Sequence, residues 1–216
     1  MNKLLVLLLF PLISLCQNTA KKTFYFDQYI ARKVSYNSEI KTMHSFTNSK
    51  DSTYQLMVDN GIIKAALLFT EGKTSNLTYF FDFDFTFFNY KQLSKLNYKH
   101  KTEFEKSKTE DFDGLFETFE HSFDTITNNI VINRKYYKDK NKKKIFLNYT
   151  NIYSNKRKIF THIDVKQKED IFKKHNFKIP DDYFLISTVS YDKGKVNSET
   201  NFAYEEKIDF NFEVKE

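Results

Sequence analysis

Residues Leu77–Tyr90 read LTYFFDFDFTFFNY, and this stretch decides the fold of the chain. Its odd positions form an unbroken apolar and aromatic row, and most of its even positions are polar: Leu77, Tyr79, Phe81, Phe83, Phe85 and Phe87 against Thr78, Asp82, Asp84 and Thr86. Successive side chains of a β-strand point to opposite faces, so each row occupies its own face. A helix would mix the two rows on one side. The stretch therefore predicts a long strand with a buried aromatic face.

The chain before this stretch supplies further strands of the same kind. Phe24–Tyr36 and Thr53–Val58 alternate apolar and polar residues, and Asp59-Asn60-Gly61 is a strong hairpin turn signal. Ile62–Thr70 is apolar on both faces, which predicts a central strand that is covered on both sides. A second turn is predicted at Glu71–Ser75, where Gly72 can adopt a positive φ. Three consecutive strands joined by short turns indicate a meander.

The rest of the chain continues this antiparallel pattern. Lys91–Phe104 is interpreted as a strand, and Leu115–Ile126 fits either a strand or a helix. Further strands are predicted at Ile130–Tyr137, Ile145–Tyr153, Lys158–Val165, Phe184–Tyr191, Val196–Ala203 and Ile208–Val214. Gln167–His175 is the helix candidate, because acidic residues begin it and basic residues end it. The predicted fold is mainly β: a single antiparallel meander of about nine or ten strands, forming a strongly curved sheet, half-barrel or sandwich, with one short helix near residues 167–175.

The N-terminal segment Met1–Cys16 has the features of a secretory signal peptide. It has a basic start, an apolar middle and small residues before the expected cleavage site. Its apolar run is too short to span a bilayer, which requires about 20 residues. Lipid attachment at Cys16 is the alternative, but the bulky Leu15 disfavours it. We expect cleavage before Gln17, which leaves residues 17–216 as a single secreted or periplasmic β domain.

The composition excludes several classes of function. Cys16 is the only cysteine, so the mature domain is expected to have no disulfide and no cysteine-held metal. The formal net charge is +6, but only Arg32, Arg134 and Arg157 are arginines. Proteins that read phosphates or bases usually favour arginine. Together with export, this argues against a nucleic-acid partner, and no second apolar run approaches membrane-spanning length.

Two stretches are candidate binding sites. A curved sheet must cover its aromatic face by closing, by adding a second layer or by holding an apolar ligand, so the first candidate site consists of Phe81, Phe83, Phe85 and Phe87. The alternative is that these rings simply fill the core. The second candidate is the basic segment RKYYKDKNKKK, which offers contacts to anionic lipid headgroups or acidic polysaccharide through Arg134, Lys135, Lys138, Lys140, Lys142, Lys143 and Lys144. Its alternative is a hairpin loop kept soluble by lysine.

Signals for catalysis are weak. Paired carboxylates such as Asp82 and Asp84 can hydrolyse glycosides, but the chain has no tryptophan to form a sugar platform. The favoured interpretation is a solvated face that meets lysines of a neighbouring strand. His162 and Asp164 share a face of a predicted strand and could be half of a metal site, but the histidines are scattered along the chain. No nucleophile, zinc or phosphate-binding motif is present, so we expect no catalytic residue, metal or cofactor.

These observations favour an exported, non-enzymatic protein that binds an apolar or amphipathic ligand. In shape only, the predicted sheet resembles the half-barrel carriers of lipids and lipoproteins in the bacterial envelope, and that resemblance implies an apolar ligand or an envelope protein as partner. The alternative is a structural or protein-interaction module of the cell envelope with a filled core. A hydrolase ranks third.

Export is testable on protein from the native host. N-terminal sequencing should find a chain that begins at or near Gln17, because the features of Met1–Cys16 direct cleavage there. An intact Met1 on the mature protein would contradict this expectation. A diacyl group on Cys16, detected by mass spectrometry, would support lipid attachment instead.

Overall fold

The computed structural model describes residues 21–36, 39–59, 65–72, 75–83, 89–105, 114–157 and 162–215. In this part of the chain eleven strands form one antiparallel sheet. They are β1 Lys21–Tyr36, β2 Glu39–Thr47, β3 Tyr54–Asp59, β4 Ala65–Glu71, β5 Ser75–Asp82, β6 Asn97–Glu105, β7 Phe116–Asp124, β8 Asn129–Tyr137, β9 Ile145–Ser154, β10 Phe184–Asp192 and β11 Lys195–Lys215. A 3₁₀ helix spans Tyr90–Lys95, and the helix α1 spans His162–His175.

Two long strands lie at the centre of the sheet and connect its two halves. The strand order is β6-β5-β4-β3-β2-β1-β11-β10-β9-β8-β7, so β1 and β11 are neighbours. They contain 16 and 21 residues, far more than the usual strand of about six. The first half of the sheet is the meander from β1 to β6. The second half is the meander from β7 to β11.

The first half curls around the aromatic row. Phe81 on β5 and Phe212 on β11 are five strand spacings apart in the sheet order, which is about 24 Å if the sheet is flat. Their ring centroids lie only 5.2 Å apart, in a T-shaped arrangement. The sheet must therefore bend strongly between them. Its concave side holds the larger hydrophobic core, which includes Phe26, Phe46, Leu56, Val58, Ala66, Leu68, Tyr79, Phe81, Phe83, Leu93, Phe212 and Val214.

The second half is covered by α1 instead of by its own curvature. Ile171 of the helix packs with Ile130 and Ile132 of β8 and Tyr153 of β9. Ile179 and Tyr183, from the segment after the helix, complete this smaller core. The described residues thus form two hydrophobic cores beside one continuous sheet.

The alternation in the aromatic strand has the predicted effect on burial. Tyr79, Phe81 and Phe83 are buried, whereas Asp82 of the polar row is half-exposed. Thr78 departs from the pattern, because it is buried although it belongs to the polar row. The predicted positions Asp84, Phe85 and Phe87 lie outside the described residues.

The fold class is confirmed, and most predicted strands are present. Several details differ. Residues 39–47 form a strand, β2, for which no prediction exists, and the two strands predicted at Val196–Ala203 and Ile208–Val214 are one continuous strand, β11. Lys91–Phe104 divides into the 3₁₀ helix and β6, because Asn89 and Gln92 form a capping box before the strand. Leu115–Ile126, for which both types were open, contains β7.

The prediction for the segment after β9 is wrong. Lys158–Val165 is predicted to pair with β9, but His162 begins α1, and β9 pairs with β8 and β10 instead. Residues 158–161 lie outside the described part. The helix also begins five residues before the predicted Gln167. The alternation of apolar and polar residues up to Val165 favours a strand locally, but a tertiary contact of Asp164, described below, outweighs that preference.

Two features of the predicted β4 hairpin also differ. Ile62–Thr70 was expected to be covered on both faces, yet Phe69 is partly exposed while Ala66 and Leu68 are fully buried. Gly72 was expected to adopt a positive φ, but the structure requires glycine at this position for a different reason. Its amide donates to the carbonyl of Ser75, and a β-carbon at this position would collide with that oxygen.

The curled core predicts a difference between adjacent phenylalanines of β5. Phe81→Ala should lower the free energy of unfolding by about 3–5 kcal/mol, because a large buried ring is removed. Phe80→Ala is the matched control. Phe80 lies on the opposite, half-exposed face, where it stacks on His100 at 4.4 Å, so its loss should be smaller than about 1.5 kcal/mol. Urea unfolding measures both values, and equal losses would contradict the assignment of the two faces.

Candidate functional site

A cavity of about 540 Å³ lies between α1 and the segment that leads from the helix into β10. Its lining is mostly apolar, with charged groups from the helix and from the following segment. The lining residues are Asp164, Val165, Lys168, Glu169, Phe172, Lys178, Ile179, Asp181 and Phe184. We call this space the helix cavity.

The sequence of α1 explains why one wall of the helix cavity is helical. Asp164 lies in the first turn and Lys173, Lys174 and His175 lie in the last turn, as the helix dipole favours. Asn176 ends the helix with a φ of 52°, and its amide donates to the carbonyl of Phe172 at 2.9 Å. This left-handed residue is a C-terminal cap of the helix.

A buried arginine fixes the first turn of α1 against the sheet. The side chain of Arg157 is 1% exposed, and its two terminal nitrogens lie 3.2 and 3.4 Å from the two carboxylate oxygens of Asp164. Its Nε donates to Glu205 of β11 at 3.3 Å, and Nη1 donates to the carbonyl of Leu185 of β10 at 2.8 Å. One guanidinium therefore joins the helix to two strands.

Other groups around this arginine extend the charged cluster. The rings of Phe184 and Phe202 lie 5.6 and 5.2 Å from the guanidinium carbon of Arg157, within the range of cation–π attraction. Burial and the nearby charge of Arg157 lower the pKa of Arg32, and the carboxylate of Asp164 opposes this shift. Phe184, which lines the helix cavity, is thus packed directly against the buried charge of Arg157.

The last turn of α1 is held by a second polar contact. His175 stacks on Phe119 of β7 at a centroid distance of 4.0 Å, and its Nε2 lies 3.3 Å from Glu117. Glu117 also accepts a hydrogen bond of 2.6 Å from Arg134 of β8. Burial lowers the pKa of His175, and the carboxylate of Glu117 opposes this shift. The ion pair of Arg157 with Asp164 therefore fixes the first turn of the helix, and the stack of His175 on Phe119 fixes the last turn.

Lys168 places an ammonium group at the helix cavity. Its Nζ donates to the carbonyls of Pro180 and Asp181 at 3.0 and 2.9 Å, and it lies 4.9 Å from the centroid of the Phe184 ring. An ammonium group has three donors, so these two bonds leave one for a ligand. Burial lowers the pKa of Lys168, although the carboxylates of Asp164 and Asp181 oppose this effect.

The helix cavity is suited to binding. It combines apolar walls with one partly desolvated ammonium, which is the arrangement that recognises an apolar molecule with an anionic group. Its one buried carboxylate, on Asp164, is already occupied by Arg157. Among the residues that the structure describes, no group of three metal-ligating side chains could hold a metal ion.

The structure places the predicted aromatic site in the first half of the sheet. Phe81 and Phe83 are buried in the larger core, and Phe85 and Phe87 lie outside the described residues. A second cavity of about 510 Å³ lies beside Phe81, where β6 approaches the C-terminal part of β11. Its lining is more polar than that of the helix cavity.

The basic segment divides into an engaged part and an exposed part. Arg134 is mostly buried in its ion pair with Glu117, and Lys135 is half-buried on β8. The five lysines of the loop between β8 and β9 are exposed: Lys138, Lys140, Lys142, Lys143 and Lys144. The loop lysines are thus exposed to solvent, whereas Arg134 is engaged with Glu117.

The structure also shows the surroundings of the other polar residues that the sequence analysis considered, Asp82, His162 and Asp164. Asp82 forms an ion pair with Lys99 of β6 at 2.6 Å, and both side chains are about half exposed, which confirms the expected contact with a lysine of a neighbouring strand. His162 and Asp164 belong to a helix, so the predicted shared strand face is wrong.

His44 is buried in the first half of the sheet, beside the larger hydrophobic core. Its Nδ1 is 2.7 Å from the hydroxyl of Tyr29. Burial lowers its pKa to about 4, although Asp59 opposes the shift. Burial also raises the pKa of Tyr29 to about 12.

Sequence reasoning missed the helix cavity entirely. The signal that could have found it is the pair Val165 and Phe172, seven residues apart and therefore on one face of a helix. Both side chains are partly exposed in the structure. Because residues 162–165 were interpreted as a strand, this face could not be recognised.

Comparisons with known proteins leave the function to be inferred from the chain itself. No model of a protein family matches the sequence, and no curated protein is similar to it. In the described part of the chain, no helix is both long and apolar enough to cross a membrane.

The surroundings of His44 predict how stability depends on pH. Its pKa is about 4 in the folded protein and 6.5 when unperturbed. The unfolded chain therefore binds this proton more tightly, and stability falls as the pH drops from about 6.5 to 4. The full loss for His44 is about 3 kcal/mol below pH 4.

Urea unfolding of the wild type and of His44→Gln between pH 7.5 and 4 measures this contribution. The variant should lose less stability over this range, by about 3 kcal/mol. His175 shifts in the same direction but is common to both proteins. His100→Gln, at an exposed histidine, should follow the wild type. A His44→Gln profile parallel to the wild-type profile would contradict the prediction.

Proposed function

We propose that the protein is an exported, non-enzymatic binder of an apolar ligand with an anionic group, and that the helix cavity is its binding site. The observation that carries this proposal is the apolar cavity of about 540 Å³ with the ammonium of Lys168 at its wall. Ligand sites in proteins typically have volumes of about 300–1,000 Å³ and a few placed polar groups.

The position of the ligand follows from the lining. Its apolar part lies against four side chains: Val165, Phe172, Ile179 and Phe184. Its anionic group accepts a hydrogen bond from the remaining N–H of the Lys168 ammonium. Lys178, Glu169 and Asp181 line the same cavity but are exposed, so water screens their charges more than the charge of the partly desolvated Lys168. A neutral apolar molecule would leave this partly desolvated ammonium without a new partner, so an anionic amphiphile is favoured.

The two ends of α1 support a preformed site. Arg157 fixes the first turn through Asp164, and Glu117 lies beside His175 in the last turn. A site whose walls are held before the ligand arrives loses less conformational entropy on binding.

A second candidate function is a protein-interaction module of the cell envelope. The observation that favours it is the packing of Phe81 against Phe212 and Tyr98 in the larger core. If the aromatic row serves only as core, the first half of the sheet contributes surfaces and edges instead of a ligand site.

Ligand binding is testable by thermal unfolding with long-chain fatty acids. A saturating fatty acid should stabilise the protein, by about 2.7 kcal/mol at a hundredfold excess over the dissociation constant. A fatty alcohol of equal chain length should stabilise it less, because it lacks the anionic group for Lys168. No stabilisation by any amphiphile would favour the interaction module.

A variant that fills the helix cavity locates the site. Val165→Phe should abolish the stabilisation by fatty acid, since the added ring occupies the cavity from a partly exposed position and removes no core side chain. Ile126→Phe, which introduces the same ring at an exposed position in the turn between β7 and β8, should leave it unchanged. Retained binding in Val165→Phe would place the ligand elsewhere, and the cavity beside Phe81 would be the next position to test.

A further inference from the structure

The turns of three neighbouring hairpins lie at the same end of the sheet. They connect β1 to β2, β8 to β9 and β10 to β11, and these six strands are consecutive in the sheet order. Neighbouring tips are therefore two strand spacings apart, or about 10 Å. We define the tip surface as the described residues of Tyr36–Ile40, Lys138–Phe146 and Asp192–Val196.

The strand register shows that the three tips share one end. Tyr36, Ser198, Ser190, Tyr149 and Arg134 form a continuous row of paired residues across β1, β11, β10, β9 and β8. The strand β1 ends on this row. The strands β10 and β8 continue past it, to Asp192 and Tyr137. The tips therefore project from one end in a stepped series.

Large apolar side chains are exposed on every tip. Ile40 is 72% exposed and Val196 is 60% exposed. Tyr36, Ile145 and Phe146 are each close to half exposed. Single exposed apolar residues are ordinary, but a group of five at one end of a sheet marks an interaction surface.

Lysines surround these apolar side chains. The tip surface contains the five loop lysines between β8 and β9 together with Lys193 and Lys195, and all seven are exposed. Its three carboxylates are Glu39, Asp139 and Asp192. The surface is therefore strongly positive at neutral pH.

The single acidic residue of the longest loop organises the backbone of that loop. The carbonyl of Asp139 accepts from the amide of Lys142 at 3.1 Å, and its carboxylate accepts from the amide of Lys143 at 3.3 Å. Lys138 extends over the ring of Phe146, with its Nζ 4.4 Å from the centroid. An ammonium above an aromatic ring suits a water–lipid boundary, where the ring enters the apolar layer and the charge stays among the headgroups.

The turn between β10 and β11 is tight and preformed. Lys193 and Gly194 have φ values of 50° and 79°, which is the conformation of a two-residue hairpin turn. Val196 is therefore presented on a rigid tip, two residues after Gly194.

We propose that the tip surface docks the protein onto an anionic membrane surface. The apolar side chains enter the boundary between headgroups and acyl chains, and the lysines bind the anionic headgroups. This surface is separate from the helix cavity. A soluble acidic polymer would explain the lysines but would leave Ile40 and Val196 exposed to water, so a membrane accounts for both features.

The absence of tryptophan from the chain allows a direct test with an introduced fluorophore. Val196→Trp should show a blue-shifted emission with vesicles of phosphatidylcholine and phosphatidylglycerol, but not with phosphatidylcholine alone. Ile126→Trp is the matched control, because Ile126 is 94% exposed in the turn between β7 and β8, at the opposite end of the sheet. The shift should weaken at high salt, which screens the lysines.

A charge variant tests the headgroup contacts. Lys143→Glu with Lys144→Glu should weaken vesicle binding at least about tenfold, by the usual contribution of surface lysines. Lys50→Glu with Lys156→Glu makes the same charge change at exposed lysines that follow β2 and β9 at the opposite end of the sheet, and should have a smaller effect. Thermal unfolding without vesicles confirms that each variant is folded.

Three results would overturn the proposal. The first is no emission shift of Val196→Trp with anionic vesicles. The second is an equal shift for Ile126→Trp, which would indicate adsorption without orientation. The third combines two observations. The protein binds a soluble polyanion such as heparin tightly, and Lys143→Glu with Lys144→Glu abolishes this binding, while Val196→Trp shows no emission shift on anionic vesicles. That result would assign the tips to an acidic polymer.

Discussion

The buried guanidinium of Arg157 is the contact on which the second half of the molecule depends. It follows β9, binds Asp164 of α1 and Glu205 of β11, and donates to the backbone of β10. A buried charge is tolerated only when its partners are complete, and removing one partner of such a pair typically costs about 3–5 kcal/mol. The position of α1, and hence of the helix cavity, therefore follows from this one side chain. The fold of the first half does not require it, because that half covers its own core.

The pairing of β1 with β11 joins the two halves into one sheet, and that sheet is coiled. Glu105 ends β6 at one edge of the sheet, and Gly114 precedes β7 at the other. Nine residue steps separate them, which span at most about 32 Å. Ten strand spacings in a flat sheet would place these edges about 48 Å apart. The sheet must therefore be coiled, and the contact of Phe81 with Phe212 shows that its first half contributes to this curvature.

The sequence predicts those features that depend on one strand and its solvent exposure. The alternation in β5 predicts correctly that Tyr79, Phe81 and Phe83 are buried, since period two has one structural meaning in a strand. Features that depend on distant partners are missed. Residues up to Val165 alternate like a strand, but the bond from Arg157 to Asp164 lies in a helical turn. The helix cavity was missed for the same reason, because its walls come from a helix whose first turn was not recognised.

The difference between the two cores suggests why a binding site lies beside α1. The first core contains many large rings that fill the curled sheet, whereas the second contains six buried residues. Among the described residues, the helix has polar and stacking contacts at both ends, where Arg157 pairs with Asp164 and where His175 stacks on Phe119 beside Glu117. Contacts at the ends fix the position of a helix without filling the space beside its middle. The partly exposed Val165 and Phe172 border that space. A helix that is fixed at its ends can therefore keep an apolar cavity open beside its outer face.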